Sequence, residues 1–313
     1  MADDSNWERK ILEKVALEAL SEQRRSRRWG IFFKLLGFAY VTALLVTFVE
    51  WDTVVHPDGE GAKHTALVEM QGVIQAKGDA NAEDIVTALQ SAFADKGTAG
   101  VVLRINSPGG SPVQAGIITD EIRRLRAKHA DIPFYVVVED VCASGGYYVA
   151  SVADKIFVDK ASIVGSIGVL MDGFGFTGSM DKLGVERRLL TAGENKGFLD
   201  PFSPQNERHK IHAQGMLDDI HQQFIDVVRK GRGDRLKETP EMFSGLMWTG
   251  ARSVELGLAD GFGTVESVAR DVIKTESVTD FTVKPNLAEK FARRFGAETA
   301  IGLGNFFTRF NVR

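Results

Sequence analysis

The sequence predicts an α/β layered domain preceded by one N-terminal transmembrane helix. Three observations carry that expectation. From residue 65 onward, apolar runs of strand length alternate with segments whose apolar residues recur at helical spacing. Two glycine-rich turns, at 107–110 and 143–146, each sit between such a strand and such a helix. Residues 30–49 form an apolar run of 20 residues interrupted by one charge, Lys34.

The apolar run comes first. At helical rise it spans about 30 Å, the thickness of a hydrocarbon core. Its uncharged part, 35–49, is short at 15 residues. Lys34 lies near one end, where its stem reaches the headgroups. Trp29 and Trp51 flank the run as an aromatic belt does. Arg24, Arg25, Arg27 and Arg28 precede it, whereas Glu50, Asp52, Asp58 and Glu60 follow it. That asymmetry places the N-terminus in the cytoplasm and everything after about residue 50 outside. No A-x-A-like pattern follows the run, which favours an uncleaved anchor over a signal peptide. The expected organisation is a cytoplasmic tail at 1–28, an anchor at 29–50 and a linker at 51–64 with Pro57, Gly59 and Gly61. A folded domain at 65–275 and an amphipathic tail at 276–313 complete it.

Within the domain, 66–70 reads as a strand. Helix 82–95 follows, capped by Asn81, with Ile85, Val86, Leu89 and Phe93 on one face. Residues 100–105 form a β-branched strand. Ser111 and Pro112 then open a helix, a cap followed by proline at the first helical position. Ile117, Ile118, Ile122 and Leu125 are its expected buried face. Residues 134–138 are the next strand, and Ser144 opens a helix running to Ala153. Shorter strands are expected at 156–158, 163–169 and 186–190. Residues 204–230 and 251–274 read as mainly helical.

Composition bounds the function. The chain has 313 residues, is 44% hydrophobic and 26% charged, and carries a net charge of −4, which gives no reason to expect nucleic-acid binding. Its one cysteine, Cys142, allows no intrachain disulfide and reads as a small buried residue at a strand end. No metal-ligand cluster or phosphate loop is present in the sequence, so no metal and no cofactor is expected.

The chemistry centres on Ser144. A small-Ser-Gly-Gly run after an apolar strand turns a hydroxyl and the N–H of Gly145 toward one point. A serine hydroxyl needs an adjacent base. His56 and His64 fall in the linker, His129 closes a helix among cations, and His209, His212 and His221 share one polar helical stretch. Without a histidine, the usual substitute is a desolvated lysine. Lys196 sits between Gly193 and Gly197 and is followed by Phe198, Leu199 and Phe202, groups whose burial would help a lysine shed its proton. A lone loop lysine is usually solvated, so this context alone leaves its role open. The turn Ser107-Pro108-Gly109-Gly110 lets backbone N–H groups face a cavity, as an oxyanion hole requires; it also fits a plain strand–helix turn.

Together, Ser107-Pro108-Gly109-Gly110, Ala143-Ser144-Gly145-Gly146-Tyr147-Tyr148 and the downstream Lys196 resemble the signal peptide peptidase A family of serine–lysine proteases. The segment Val164-Gly165-Ser166-Ile167-Gly168-Val169 is similar too. The resemblance covers about residues 65–275 and implies a ClpP/crotonase-like layered fold. It implies Ser144 as nucleophile, Lys196 as general base and then acid, Gly110 and Gly145 as oxyanion-hole donors, and Ser166 as the residue orienting Lys196. It also implies a homo-oligomeric ring in which serine and lysine come from adjacent protomers. The implied partners are hydrophobic peptides, especially signal peptides, and the implied location is a bacterial inner membrane crossed once. Three other readings compete: a membrane peptidase with one dedicated protein substrate, an acyl-CoA enzyme of the crotonase type, and a membrane-anchored scaffold.

Overall fold

The computed structural model describes residues 4–48 and 62–283. They belong to two units that divide at Gly59 and Glu60. Most of the expected linker, and the tail from residue 284 onward, lie outside the described residues.

The first unit contains one helix, α1 (Asp4–Phe48). Between residues 22 and 42 its side chains are all exposed, including Trp29, Ile31, Phe32, Phe33, Leu35 and Phe38. Apolar residues at consecutive positions point to all sides of a helix. Among the described residues, no helix is long and apolar enough to cross a membrane. The apolar run of the sequence continues past Thr42, the last α1 residue whose side-chain environment is described.

In the second unit, side-chain alternation builds a sheet buried on both faces. Strands β1 (His64–Gln71), β2 (Thr98–Ser107) and β3 (Phe134–Ala143) are parallel neighbours. Val68, Met70, Leu103, Ile105, Val136 and Val138 enter the main core. The intervening Leu67, Val102 and Val137 enter a smaller cluster with Phe157, Val265 and Val268. A parallel sheet covered on both sides is the usual outcome of such strands. His64, expected in the linker, begins β1 and stacks on Phe281 at 5.9 Å.

Helices α2 (Ala82–Ala94) and α3 (Pro112–Lys128) pack on the main core. Asn81 caps α2 by accepting the Asp84 N–H, and Ser111 caps α3 by accepting the Gln114 N–H. The buried stripe of α3 is Ala115, Ile118, Ile122 and Leu125. Ile117, expected on it, is 48% exposed. It stands about 100° around the helix from Ile118, off the stripe.

β3 forks. Its first half, Tyr135 to Val137, pairs with β4 (Lys155–Val158); its second half, Val141 to Ala143, pairs with β5 (Ile163–Gly165). β5 continues to β6 (Met247–Thr249) through an antiparallel pairing, and β4 to β7 (Gly261–Phe262). β8 (Val278–Asp280) joins β1, so the sheet extends past the domain end expected at 275.

Three expected elements differ. The strand at 186–190 does not form: the segment is irregular and exposed, and no strand lies beside it to pair with. The strand from 163 stops at Gly165 because Gly165 and Ser166 both turn to positive φ. The mainly helical stretch at 251–274 is interrupted: α7 (Gly250–Glu255) is followed by β7, then by α8 (Val265–Val268), which continues as a π-helical turn, Ala269–Ile273. Gly257, at φ 75°, ends the first piece, and a Cβ there would stand 1.8 Å from the Arg235 carbonyl oxygen. Two further helices, α5 (Thr177–Leu183) and α6 (Glu207–Arg232), follow β5. Arg232 at the end of α6 is fully buried. It donates to both carboxylate oxygens of Asp260, at 2.8 and 3.0 Å, and to the Gly257 carbonyl at 2.9 Å.

Candidate active site

Ser144 stands where β3 ends and α4 (Gly145–Ala150) begins. Its backbone has φ 52° and ψ −124°, a conformation that L side chains rarely adopt. Such strain costs of order 1–3 kcal/mol and persists only where the surroundings enforce it. The enforcing contacts are visible. The Ser144 N–H donates to the Gly165 carbonyl at 2.8 Å, and the Tyr148 N–H donates to the Ser144 carbonyl at 2.9 Å. Val149, Ala150 and Tyr147 root α4 in the core, where the Tyr147 hydroxyl donates to the Leu258 carbonyl at 2.9 Å. Burial holds that phenol protonated, well above its usual range.

The turn after β2 lies against this elbow. Ser107 is buried, and its hydroxyl accepts the Gly109 N–H at 3.1 Å. Gly109 has φ 99°, and a Cβ there would stand 2.6 Å from Ser144 Cβ and 2.7 Å from the Gly145 nitrogen. Glycine is required for this approach as much as for the dihedral. Gly110 is bridged to Ile74: the Ile74 N–H donates to Gly109 O and the Ser111 N–H donates to Ile74 O, both at 2.8 Å. That pattern uses the neighbours of the Gly110 N–H and not the N–H itself. The Gly110 nitrogen lies 3.4 Å from where a Cβ on Gly145 would be. Gly110, Gly145 and Ser144 are thus brought together.

Ser166 joins them from the next strand. Ala143 pairs with Gly165, so Ser144 and Ser166 follow paired residues, and Ser166 also has φ 52°. Its N–H donates to the Leu246 carbonyl at 2.8 Å. Cys142 is fully buried two residues before Ser144, and desolvation pushes its thiol up, so it offers no thiolate.

Lys196 is placed differently. It lies in a turn over 193–199, its N–H donating to the Gly193 carbonyl at 3.1 Å, and its side chain is exposed. Among the described residues, none supplies the apolar burial expected around it. Its loop is nevertheless held. The Phe198 ring contacts the rings of His209, at 5.2 Å, and His212, at 5.6 Å. His209 Nε2 lies 3.2 Å from Asn195 Oδ1. The arm around this loop, residues 169–206, leaves large apolar groups uncovered: Leu170, Phe174, Leu183 and Leu190 are 80, 79, 77 and 96% exposed.

Two features escaped the sequence reading. The rings of His209 and His212 serve as a clamp on Phe198. His221, read as part of a polar surface, is half-buried, with Nε2 3.1 Å from the Ile167 carbonyl oxygen beside Ser166. Neither has a local sequence signature, because each contact joins a loop to a separate element, α6. Among the described residues, no group of three or more potential metal ligands converges.

A model of peptidase family S49 matches residues 126–279. A protein of Enterococcus faecium named as a signal peptide peptidase, SppA, is 33% identical over 235 residues, covering 72% of this chain and 67% of that relative.

The chain belongs to peptidase family S49.

The relatives named for a hydrolytic activity are a signal peptide peptidase and proteases. S49 membership favours peptide hydrolysis over the acyl-CoA and scaffold readings. The S49 match includes Ser144, Ser166 and Lys196 and begins after Gly110. Another relative, protease 4 of Haemophilus influenzae, is 30% identical over 203 residues, 64% of this chain and 32% of that protein. A protein of Brucella melitensis named Na(+)/H(+) antiporter NhaA is 48% identical over 182 residues, 58% of this chain. The chain spans only 25% of that relative's length.

Proposed function

We propose that this S49 peptidase is a membrane-anchored endopeptidase that cleaves hydrophobic, membrane-associated peptides, signal peptides among them, through a Ser144–Lys196 dyad. The observation that carries the reading is the strained Ser144 elbow packed against Gly109 and Gly110. A serine held at such cost, with two amide groups beside it, fits a nucleophile facing an oxyanion hole.

In this mechanism the Ser144 hydroxyl attacks the peptide carbonyl, and Lys196 takes its proton and returns it to the leaving amine. The N–H groups of Gly110 and Gly145 stabilise the oxyanion. Ser166 orients Lys196. The lysine reaches Ser144 from a neighbouring copy of the chain in a homo-oligomeric ring. Two findings support that arrangement: Lys196 is exposed, and the arm bearing it presents uncovered apolar groups. Contact with a second copy would bury both, and burial of the ammonium is what a general base needs.

Residues 30–49 serve as the anchor. A helix apolar on all sides is suited to lipid or a core, and residues 29–42 of α1 carry apolar groups on all sides yet are exposed. The four arginines before it favour a cytoplasmic N-terminus and a catalytic domain on the far side of the inner membrane. Tethering raises the enzyme's effective concentration near peptides left in the bilayer. The printed name of the Enterococcus relative agrees with that substrate class.

The test uses the full chain in detergent with an unfolded hydrophobic peptide, comparing wild type, Ser144→Ala and Lys196→Ala. Cleavage is expected to disappear in both variants. Mixing the two inactive variants should restore part of the activity if the dyad spans copies. Full activity in Lys196→Ala would remove the dyad.

A further inference from the structure

A second site lies at the other end of the sheet. A cavity of about 640 Å³ opens between the C-terminal half of α3, the α4–β4 turn and the end of α6. Four cationic residues line it, Arg123, Arg126, Lys230 and Arg235, with one carboxylate, Asp154. Asp154 precedes β4, and its Oδ2 accepts the Phe134 N–H at the start of β3, at 2.8 Å. The cavity is therefore at the amino end of β3, whereas Ser144 is at the carboxyl end. The ten residues of β3 separate them by about 30 Å.

Its charge is not balanced from within. The Asp154 carboxylate is committed to Arg126 and to the Phe134 N–H. Asp260 touches Arg235 at 3.3 Å but is held by both terminal nitrogens of the buried Arg232. Asp120 is 3.5 Å from Arg123, with its own side chain 80% exposed. Among the described residues, Lys230 has no ion-pair partner. Like charges facing one concavity raise its potential and favour an anion there.

The geometry is also pre-set. Arg126 Nη1 donates to the Val152 carbonyl at 2.5 Å. Arg235 donates to the carbonyls of Asp154, at 2.6 Å, Gly231, at 2.7 Å, and Arg232, at 2.9 Å. Two guanidinium planes are thus fixed by backbone, which leaves less freedom to lose when an oxyanion docks. Arg123 and Lys230 supply the mobile donors. Several cations around one cavity suit a dianion with three or more acceptor oxygens better than a single carboxylate.

We propose that this cavity binds a phosphate group, either free phosphate or the phosphate of a lipid headgroup, remote from the peptidase centre. The test follows thermal unfolding of the full chain in neutral detergent as inorganic phosphate is added, against sodium chloride at equal ionic strength. A second arm measures association with vesicles of phosphatidylglycerol or phosphatidylcholine. Arg123→Gln with Lys230→Gln removes the mobile donors while sparing the two arginines that hold the backbone.

Phosphate should raise the wild-type midpoint beyond the chloride control, and in the double variant its apparent Kd should rise roughly tenfold per cation removed. If the source is a headgroup, phosphatidylglycerol association exceeds that of phosphatidylcholine and falls in the double variant. If the source is free phosphate, the vesicle arm is unchanged by the substitutions. Peptidase activity in chloride should match wild type. No specific shift with phosphate and no headgroup preference would overturn the proposal. So would a phosphate response that persists undiminished in the double variant.

Discussion

Ser144 and Ser166 leave adjacent parallel strands side by side, each with φ 52°, and the Ser144 N–H is tied to the carbonyl of Gly165, 2.8 Å away. Two non-glycine residues with the same unfavourable dihedral at one level of a sheet mark that level as shaped for something other than stability. Each supplies a test.

Replacing Ser144 with glycine removes both the hydroxyl and the steric conflict. Ser144→Gly should lose roughly 10³-fold or more in peptide cleavage. It should also gain up to about 1 kcal/mol in stability, because glycine enters this dihedral freely. Calorimetry alongside a peptide assay checks both. A stabilised variant that still cleaves would take the nucleophile's role away from Ser144.

Ser166→Ala keeps the backbone donor to Leu246 and deletes only the hydroxyl. In the proposed dyad Ser166 would hydrogen-bond the neutral base, so its loss should lower kcat about tenfold and leave KM near wild type. The acidic limb of the pH–rate profile should move to higher pH, since the neutral base has lost a donor. An unchanged profile assigns Ser166 to the turn alone.

Phe198→Ala opens the contact between the Lys196 loop and the rings of His209 and His212. Because the loop lies outside both core clusters, the unfolding midpoint should hardly change. Misplacing a catalytic group by about 1 Å costs on the order of 10²-fold, so kcat should fall roughly 10- to 100-fold. Equal loss of stability and activity would show the contact to be structural only.

Asp260 links acid stability to the buried arginine. Burial acts to raise its carboxyl, but hydrogen bonds and charge from Arg232, the Ile156 N–H and Arg235 outweigh that and hold it below the usual carboxylate range. A carboxyl depressed in the folded state adds stability above its unfolded value, and that stability is lost as pH falls through the folded one. The unfolding midpoint should therefore drop below about pH 4. Asp260→Asn should flatten that acid limb and destabilise by about 3–5 kcal/mol at neutral pH, since Arg232 is left buried without its partner. Thermal scans at several pH values decide it.

Much of the frame could be read in the sequence because its signals are local. Asn81 and Ser111 cap helices through their own side chains, and the apolar runs of β1 to β3 need no knowledge of neighbours. The two glycine turns and Ser144 were legible for the same reason. Ile117 was misplaced because one residue's offset on α3 is decided by the sheet beneath it. Residues 186–190 have strand-like content but lack a strand to pair with. The conformation of Ser166 and the clamp on Phe198 depend on partners 80 and 11 to 14 residues away in sequence, Leu246 for the first and His209 and His212 for the second. The surroundings of Lys196 misled most: the apolar residues after it read as a pocket, whereas in a single chain they form part of an open arm.

The fork of β3 separates two kinds of heritable change within one strand. Variants at residues 134–138 alter contacts with the core and with β4, so a cell registers them as yield of folded protein. Variants at 141–143 also reach the seat of Ser144 against β5, so there turnover is registered together with yield. A lineage can therefore adjust robustness to temperature at the amino end of these ten residues without reaching the seat of Ser144, whereas change at the carboxyl end moves both.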